Sequence, residues 1–145
     1  GNYDFGQATP PPGVYNWTLV SAGNLHSCGL RNGTLLCWGS DSHGQATPPA
    51  LPTGVAWTAV TAGLLHTCGV ATDGEAYCWG ESALNRIYVL PRGDEVRWAS
   101  LSAGNEHTCG RLASGRLSCF GFNGEGQLAV STAPYVRFEE DGVSS

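Results

Sequence analysis

Methionine and lysine are absent from this 145-residue chain, and all seven basic residues are Arg. Charged residues make up only 13% of it, about half the roughly 25% of an ordinary soluble domain. No basic cluster is present to neutralise phosphates, and a net charge of −5 points away from nucleic acid. No apolar run approaches the roughly 18 residues of a membrane-spanning helix, so direct membrane insertion is not expected. Long helices are excluded as well, because 21 Gly and 8 Pro interrupt the chain every few residues. What is present is apolar: 41% hydrophobic and 10% aromatic residues, too many for a disordered chain and enough for a core. The length suits one domain.

Internal repetition dominates the sequence. One unit opens at Trp17, a second at Trp57 and a third at Trp98, spacings of 40 and 41 residues. Within them an Ala-Gly pair recurs at Ala22-Gly23, Ala62-Gly63 and Ala103-Gly104. His-x-Cys-Gly recurs at His26, His66 and His107, and Cys-aromatic-Gly at Cys37-Trp38, Cys78-Trp79 and Cys119-Phe120. Gly1 to Gln7 aligns with Gly39 to Gln45 and with Gly121 to Gln127, while Val136-Arg137-Phe138 aligns with Val96-Arg97-Trp98. Residues 1–138 therefore read as one repeat domain. Its parts are the tail of a preceding repeat (1–13), repeat one (14–54), repeat two (55–95), repeat three (96–135) and the start of a fourth (136–138); residues 139–145 are an acidic, polar tail. A start in mid-repeat without Met is what a processed chain, or a piece of a longer one, would show.

Each unit reads as short strands. Trp17 to Val20 has β-favouring residues in alternation, and His26 to Leu30 and Thr34 to Trp38 flank a tight turn. The following loop, for example Gly39 to Gly54, has room for a short outer strand. The Pro-rich stretches at Pro10–Pro12 and Pro48-Pro49 cannot sit in central strands and are placed on crossings between units. The fold class is all-β: a β-propeller-type repeat with three full blades and partial units at both ends, an incomplete ring or arc.

The six cysteines fall as one pair per repeat. A two-residue loop at Asn32-Gly33, the preferred pair where both positions need positive φ, sets Arg31 against Thr34 and so Cys28 against Cys37. The other repeats carry one more residue between their cysteines and a three-residue loop with Gly last, Thr72-Asp73-Gly74 and Ala113-Ser114-Gly115. Cys68 then faces Cys78, and Cys109 faces Cys119, within disulfide range. Free buried thiols are one alternative. A metal is another, since His-x-Cys puts both side chains on one strand face; yet the gaps of eight and nine residues do not suit zinc, and no metal or other cofactor is expected. Disulfides imply an oxidising compartment, and hence an extracellular or cell-surface location.

These motifs resemble the cysteine-bearing variant of the regulator of chromosome condensation superfamily repeat. They are similar to the repeats of crinkly-type plant receptor ectodomains and of secreted algal and bacterial proteins. The resemblance covers residues 1 to about 138 and implies propeller blades, usually seven to a ring. Three units are too few to close one, so a protein partner, further copies or further segments would complete the array. Nucleotide exchange on a small GTPase, known for the founding member, does not carry over, because no inserted loop is present to act as its wedge. Two departures stand out: Asn85-Arg86 replaces the Gly-Gln of Gly44-Gln45 and Gly126-Gln127, and Phe120 replaces Trp.

The recurrence of His26, His66 and His107 at one position points to a structural role, with a ring nitrogen bonded to a backbone carbonyl at a blade junction. The repeated Trp17, Trp38, Trp57, Trp79 and Trp98 read as packing between blades. Tyr3, Phe5, Tyr15, Tyr88, Phe122 and Tyr135 do not repeat and are the candidates for contacts with a partner or a glycan. Asn16-Trp17-Thr18 and Asn32-Gly33-Thr34 are N-glycosylation sequons. No paired acid and base and no Ser-His-Asp set is evident, and no catalytic residue is assigned. The expected function is a non-catalytic interaction or structural module of a secreted, cell-surface, wall or filament glycoprotein. Lectin-like or receptor-like ligand binding is the alternative.

Overall fold

The turn-forming residues divide the chain into antiparallel meanders, one per repeat. The structure is a computed structural model and describes residues 4–80, 88–89, 97–105 and 107–121, with the backbone alone at 88–89 and 120–121. Blade one contains β1 (Leu19–Ala22), β2 (His26–Arg31) and β3 (Thr34–Gly39). Blade two contains β4 (Trp57–Ala62), β5 (His66–Ala71), β6 (Ala76–Gly80) and β7 (Tyr88–Val89). Blade three contains β8 (Trp98–Ala103), β9 (His107–Leu112) and β10 (Leu117–Gly121). The strands of each blade pair in chain order. Among the described residues there is no helix, and the three sheets form an arc, not a closed ring.

The hairpin register follows from the turns. Asn32 and Gly33 take φ of 49° and 78°, and Arg31 pairs with Thr34, Leu30 with Leu35 and Cys28 with Cys37. In blade two Ala71 N–H donates to the Glu75 carbonyl and in blade three Leu112 N–H donates to Arg116, leaving three-residue loops that end on Gly74 and Gly115. Cys68 lies opposite Cys78 and Cys109 opposite Cys119. All three pairs are disulfides, with Cα atoms 4.0, 4.1 and 3.9 Å apart.

The first strand departs from simple alternation. Trp57 pairs with Ala71 but Ala59 with Val70, and the same slip separates Trp98 from Ser100. The extra residue is a β-bulge. It brings Trp57 and Val60, three residues apart, onto the same side of the sheet, where both join one core. In blade one the strand itself begins at Leu19, two residues after the expected Trp17. The loop from Gly39 to Gly54 contains no outer strand; the only fourth strand among the described residues is β7, against β6. Pro10–Pro12 and Pro48-Pro49 lie outside strands.

Each blade has an upstream face, turned toward the preceding repeat, and a downstream face, turned toward the next. The hydrophobic core lies between blades. At the first joint, Cys28, Leu30 and Leu35 on the downstream face of blade one pack on Trp57, Val60 and Trp79 of blade two. At the second, Cys68, Val70 and Ala76 pack on Trp98 and Leu112 of blade three. The leading Trp needs a gap in its own sheet to lie flat. A Cβ on Gly29 would stand 2.6 Å from the Trp17 ring, and one on Gly69 2.6 Å from the Trp57 ring. That close approach is why Gly follows the first cysteine of each repeat.

Candidate interaction surfaces

A four-bond joint connects each blade to the next. Trp57 N–H donates to the Gly33 carbonyl at the hairpin tip of blade one (3.0 Å), and Ala62 N–H donates to the Ser21 hydroxyl (3.0 Å). Asn24 N–H donates to the Gly63 carbonyl (3.2 Å), and the His26 ring meets the Thr67 hydroxyl (2.7 Å). The second joint repeats three of these bonds and moves the acceptor of the fourth on by one residue, from the Gly63 position to Asn105. Trp98 bonds Gly74 (2.9 Å), Ala103 bonds Thr61 (2.9 Å), Leu64 bonds Asn105 (3.2 Å) and His66 meets Thr108 (2.9 Å).

His26 and His66 thus each meet a hydroxyl on the next blade, and His66 also has the expected kind of partner, the Asn105 backbone carbonyl. The Thr67 hydroxyl donates to the Gln45 carbonyl at 2.7 Å, so it accepts from His26, whose Nε2 carries the proton. Nδ1 is then the unprotonated nitrogen, buried without a partner. Burial is the main cause that pushes the His26 pKa down to about 4; nearby His66 lowers it further and Asp41 opposes. His66 is likewise pushed to about 4, by burial first and then by His107, with the Asn105 carbonyl opposing. Neutral rings sealed between sheets are joint-forming groups, poorly placed to act as bases. Thr67→Val strands the buried His26 N–H and leaves the Gln45 carbonyl only the Trp79 indole N–H; it is expected to cost about 1–3 kcal/mol, with Thr67→Ser near wild type. Urea unfolding checks this; equal losses in the two variants would remove the hydroxyl from the account.

The Gly-Gln motif supports the joint from outside. The Gln45 side chain folds back to accept from His43 N–H at 2.8 Å. Its carbonyl takes the Thr67 hydroxyl at 2.7 Å and the Trp79 indole N–H at 3.1 Å. Gln7 does the same for Ser27 (2.8 Å) and Trp38 (2.9 Å). The sequence signal for the hydroxyl was present, since the residue between His and Cys is Ser27, Thr67 or Thr108.

At the two ends of the arc these faces lie open. Val20 occupies in blade one the position of Val60 in blade two, yet it is 67% exposed against 5%. The Trp17–Trp38 pair, 5.7 Å apart, copies Trp57–Trp79 at 5.6 Å but is only half-buried. At the far end, Leu117 (51% exposed) and exposed Arg111 stand on the downstream face of blade three. On the axis side, the three Ala-Gly pairs with Asn24 and Asn105 line a shallow, open, mainly polar hollow of about 240 Å³. Among the described residues no three His, Cys, Asp or Glu side chains converge to hold a metal.

Two of the non-repeating aromatics, Phe5 and Tyr15, share the connection that leads into β1. Phe5 (50% exposed) lies in the crossing that leads to Gln7, and Tyr15 (71%) precedes blade one. Tyr88 lies in β7, opposite Cys78. Tyr3, Phe122 and Tyr135 lie outside the described residues. Asn16 and Asn32 are both exposed, with φ of 67° and 49°. Asp41 accepts from Ala46 N–H and Thr47, and Asp73 from Glu75 N–H, as loop residues do.

Residues 17–45, 57–85 and 98–127 each match the sequence profile of the regulator of chromosome condensation (RCC1) repeat. The chain belongs to the RCC1 repeat family. Its blades resemble those of the receptor kinase CR4 ectodomain from Physcomitrella patens, at 31% identity and a TM-score of 0.57 over 79% of this chain and 30% of that one. The CRINKLY WD40 ectodomain of the Arabidopsis thaliana receptor kinase ACR4 is 28% identical, with a TM-score of 0.61 over 76% of this chain and 42% of that one. Prp20p from Saccharomyces cerevisiae, described with its binding to Gsp1p and histones, shares the fold at 18% identity and a TM-score of 0.64, over 77% and 34%. This RCC1-type chain therefore spans about a third of the propellers it matches. No curated protein sequence matches it significantly.

Proposed function

We propose that this RCC1-type arc is a non-catalytic, extracellular protein-interaction module, part of a cell-surface, wall or filament glycoprotein. The observation that carries the reading is one cross-strand disulfide in every blade. A cytosol that keeps thiols reduced would leave each pair open. The likeness to two receptor ectodomains supports the same location. Exposed Asn16 and Asn32 are the acceptors for glycans, and the open blade faces are the surfaces for further blades or a protein partner. Alkylation of the protein in its native source, before denaturation, tests the compartment. All six cysteines should resist the reagent and the protein should fractionate with the surface or medium. Fully alkylated cysteines in a cytosolic or nuclear fraction would overturn the reading.

Tyr15, 71% exposed, favours a second reading, glycan binding. A saturable glycan-array signal lost in Tyr15→Ala selects it. Ordered assembly at low micromolar concentration, with no array signal, selects the first.

A further inference from the structure

Both glycosylation sequons stand at one corner of blade one. In blades two and three, the residue before the leading Trp is tied to the residue that opens the hairpin loop. Thr72 N–H donates to the Ala56 carbonyl (2.8 Å), and Ala113 N–H to the Arg97 carbonyl (2.7 Å). In blade one these two positions are Asn32 and Asn16. They do not make that bond; both are exposed and left-handed, whereas Ala56 and Arg97 are not left-handed. The strand behind Asn16 keeps the common register: the Thr18 hydroxyl donates to the Leu30 carbonyl (3.0 Å) as Thr58 does to Val70 (3.1 Å).

At a closed joint, the position of Asn16 lies against the hairpin tip of the preceding blade. Trp57 N–H reaches the Gly33 carbonyl at 3.0 Å, and a Cβ on Gly33 would stand 3.0 Å from the Ala56 Cβ. Trp98 N–H reaches the Gly74 carbonyl at 2.9 Å, and Arg97 fits by folding over that glycine, its Nε, Cζ and Cβ 2.9, 3.0 and 3.1 Å from a Cβ placed there. One methyl group on the tip overfills either joint, and an N-linked sugar is a branched ring far larger than a methyl group. We propose that a glycan on Asn16 and a preceding blade exclude each other. The glycosylated chain ends an array at blade one; the unglycosylated chain leaves its upstream face open to a further blade. This regulation rests on the extracellular reading above. Asn32 has no such effect: it is exposed while Gly33 beside it holds Trp57, so its glycan is compatible with a closed first joint.

One substitution moves the sequon to a closed joint, since Ala56→Asn before Trp57-Thr58 copies Asn16-Trp17-Thr18. The full chain is secreted from a eukaryotic host, and Ala56→Asn is also made in a bacterial periplasm without N-glycosylation. Mass spectrometry should find a glycan on Asn16 of the wild-type chain. Its urea-unfolding equilibrium constant should lie within about twofold of that of Asn16→Asp, a surface change that tolerates the left-handed backbone and removes the sequon. Glycosylated Ala56→Asn should unfold at least about tenfold more readily than its periplasmic counterpart, because displacing the tip strands the Trp57 N–H. Retention of Ala56→Asn in a host that secretes Ala56→Gln, which has no sequon, supports the same exclusion. A glycosylated Ala56→Asn chain as stable as the periplasmic one would overturn it. So would a wild-type chain secreted with Asn16 bare, a measurement that needs no variant to fold. The host imposes the compartment, so either failure is distinct from a failed alkylation result on the native protein.

Discussion

Trp79→Ala is expected to destabilise the chain by about 3–5 kcal/mol, the range for removing a large buried aromatic. Trp79 is 1% exposed, within the joint of blades one and two. Its ring lies 5.6 Å from Trp57, and its N–H donates to the Gln45 carbonyl. Alanine removes the burial, the ring contact and the tie to the connecting loop together. Trp38→Ala removes the same chemistry from the half-buried upstream face of blade one, with Trp17 as the equivalent ring neighbour and a 2.9 Å bond to Gln7. Its cost should be about half as large, since roughly half the transfer term is lost. Both are read from urea midpoints with the disulfides intact, because reduction during unfolding destroys two-state behaviour. Equal losses would mean that stability resides within each blade. Unequal losses would put it at the joints, as expected of a stacked repeat array.

The parts of the fold legible in the sequence are those set by short range. From Asn32-Gly33 the pairing of Cys28 with Cys37 follows by counting, because a two-residue loop fixes every pair behind it. The longer loops at Gly74 and Gly115 announce their extra residue by their own glycines. The bulge after Trp57 was not legible, because alternation presumes an unbroken register. The joints were harder still. Gly33 and Trp57 meet through backbone atoms, which leave no mark on side-chain choice, and His26 meets Thr67 across 41 residues.

The Gly-Gln motif was visible, but its purpose was not, since Gln45 works largely through its carbonyl. That role gives the two departures a common sense. The loop before repeat three lacks the Gln, and the same repeat has Phe120, which carries no N–H to donate. Of the aromatics that fail to repeat, exposed Phe5 and Tyr15 both sit on the connection that leads into β1.

Acid should unfold this arc through its joints. Above pH 6.5 the rings of His26 and His66 are neutral in both states and their contribution to stability is complete. Below it the unfolded chain takes up protons that the fold refuses until its own values of about 4. Each ring then costs about 1.4 kcal/mol of stability per pH unit, on the order of 3 kcal/mol by pH 4. The loss lies between pH 6.5 and 4, and these rings contribute no further slope below that. Urea midpoints at half-unit steps across this window measure it. His66→Gln should be less stable at pH 7.5 yet lose only about half as much on acidification, since one of the two proton sinks is gone. A variant whose slope matches wild type would put the acid sensitivity elsewhere. The expected result ties stability to the same two rings that tie blade to blade, so protonation should open the arc at its joints before any single hairpin, held by its disulfide, comes apart.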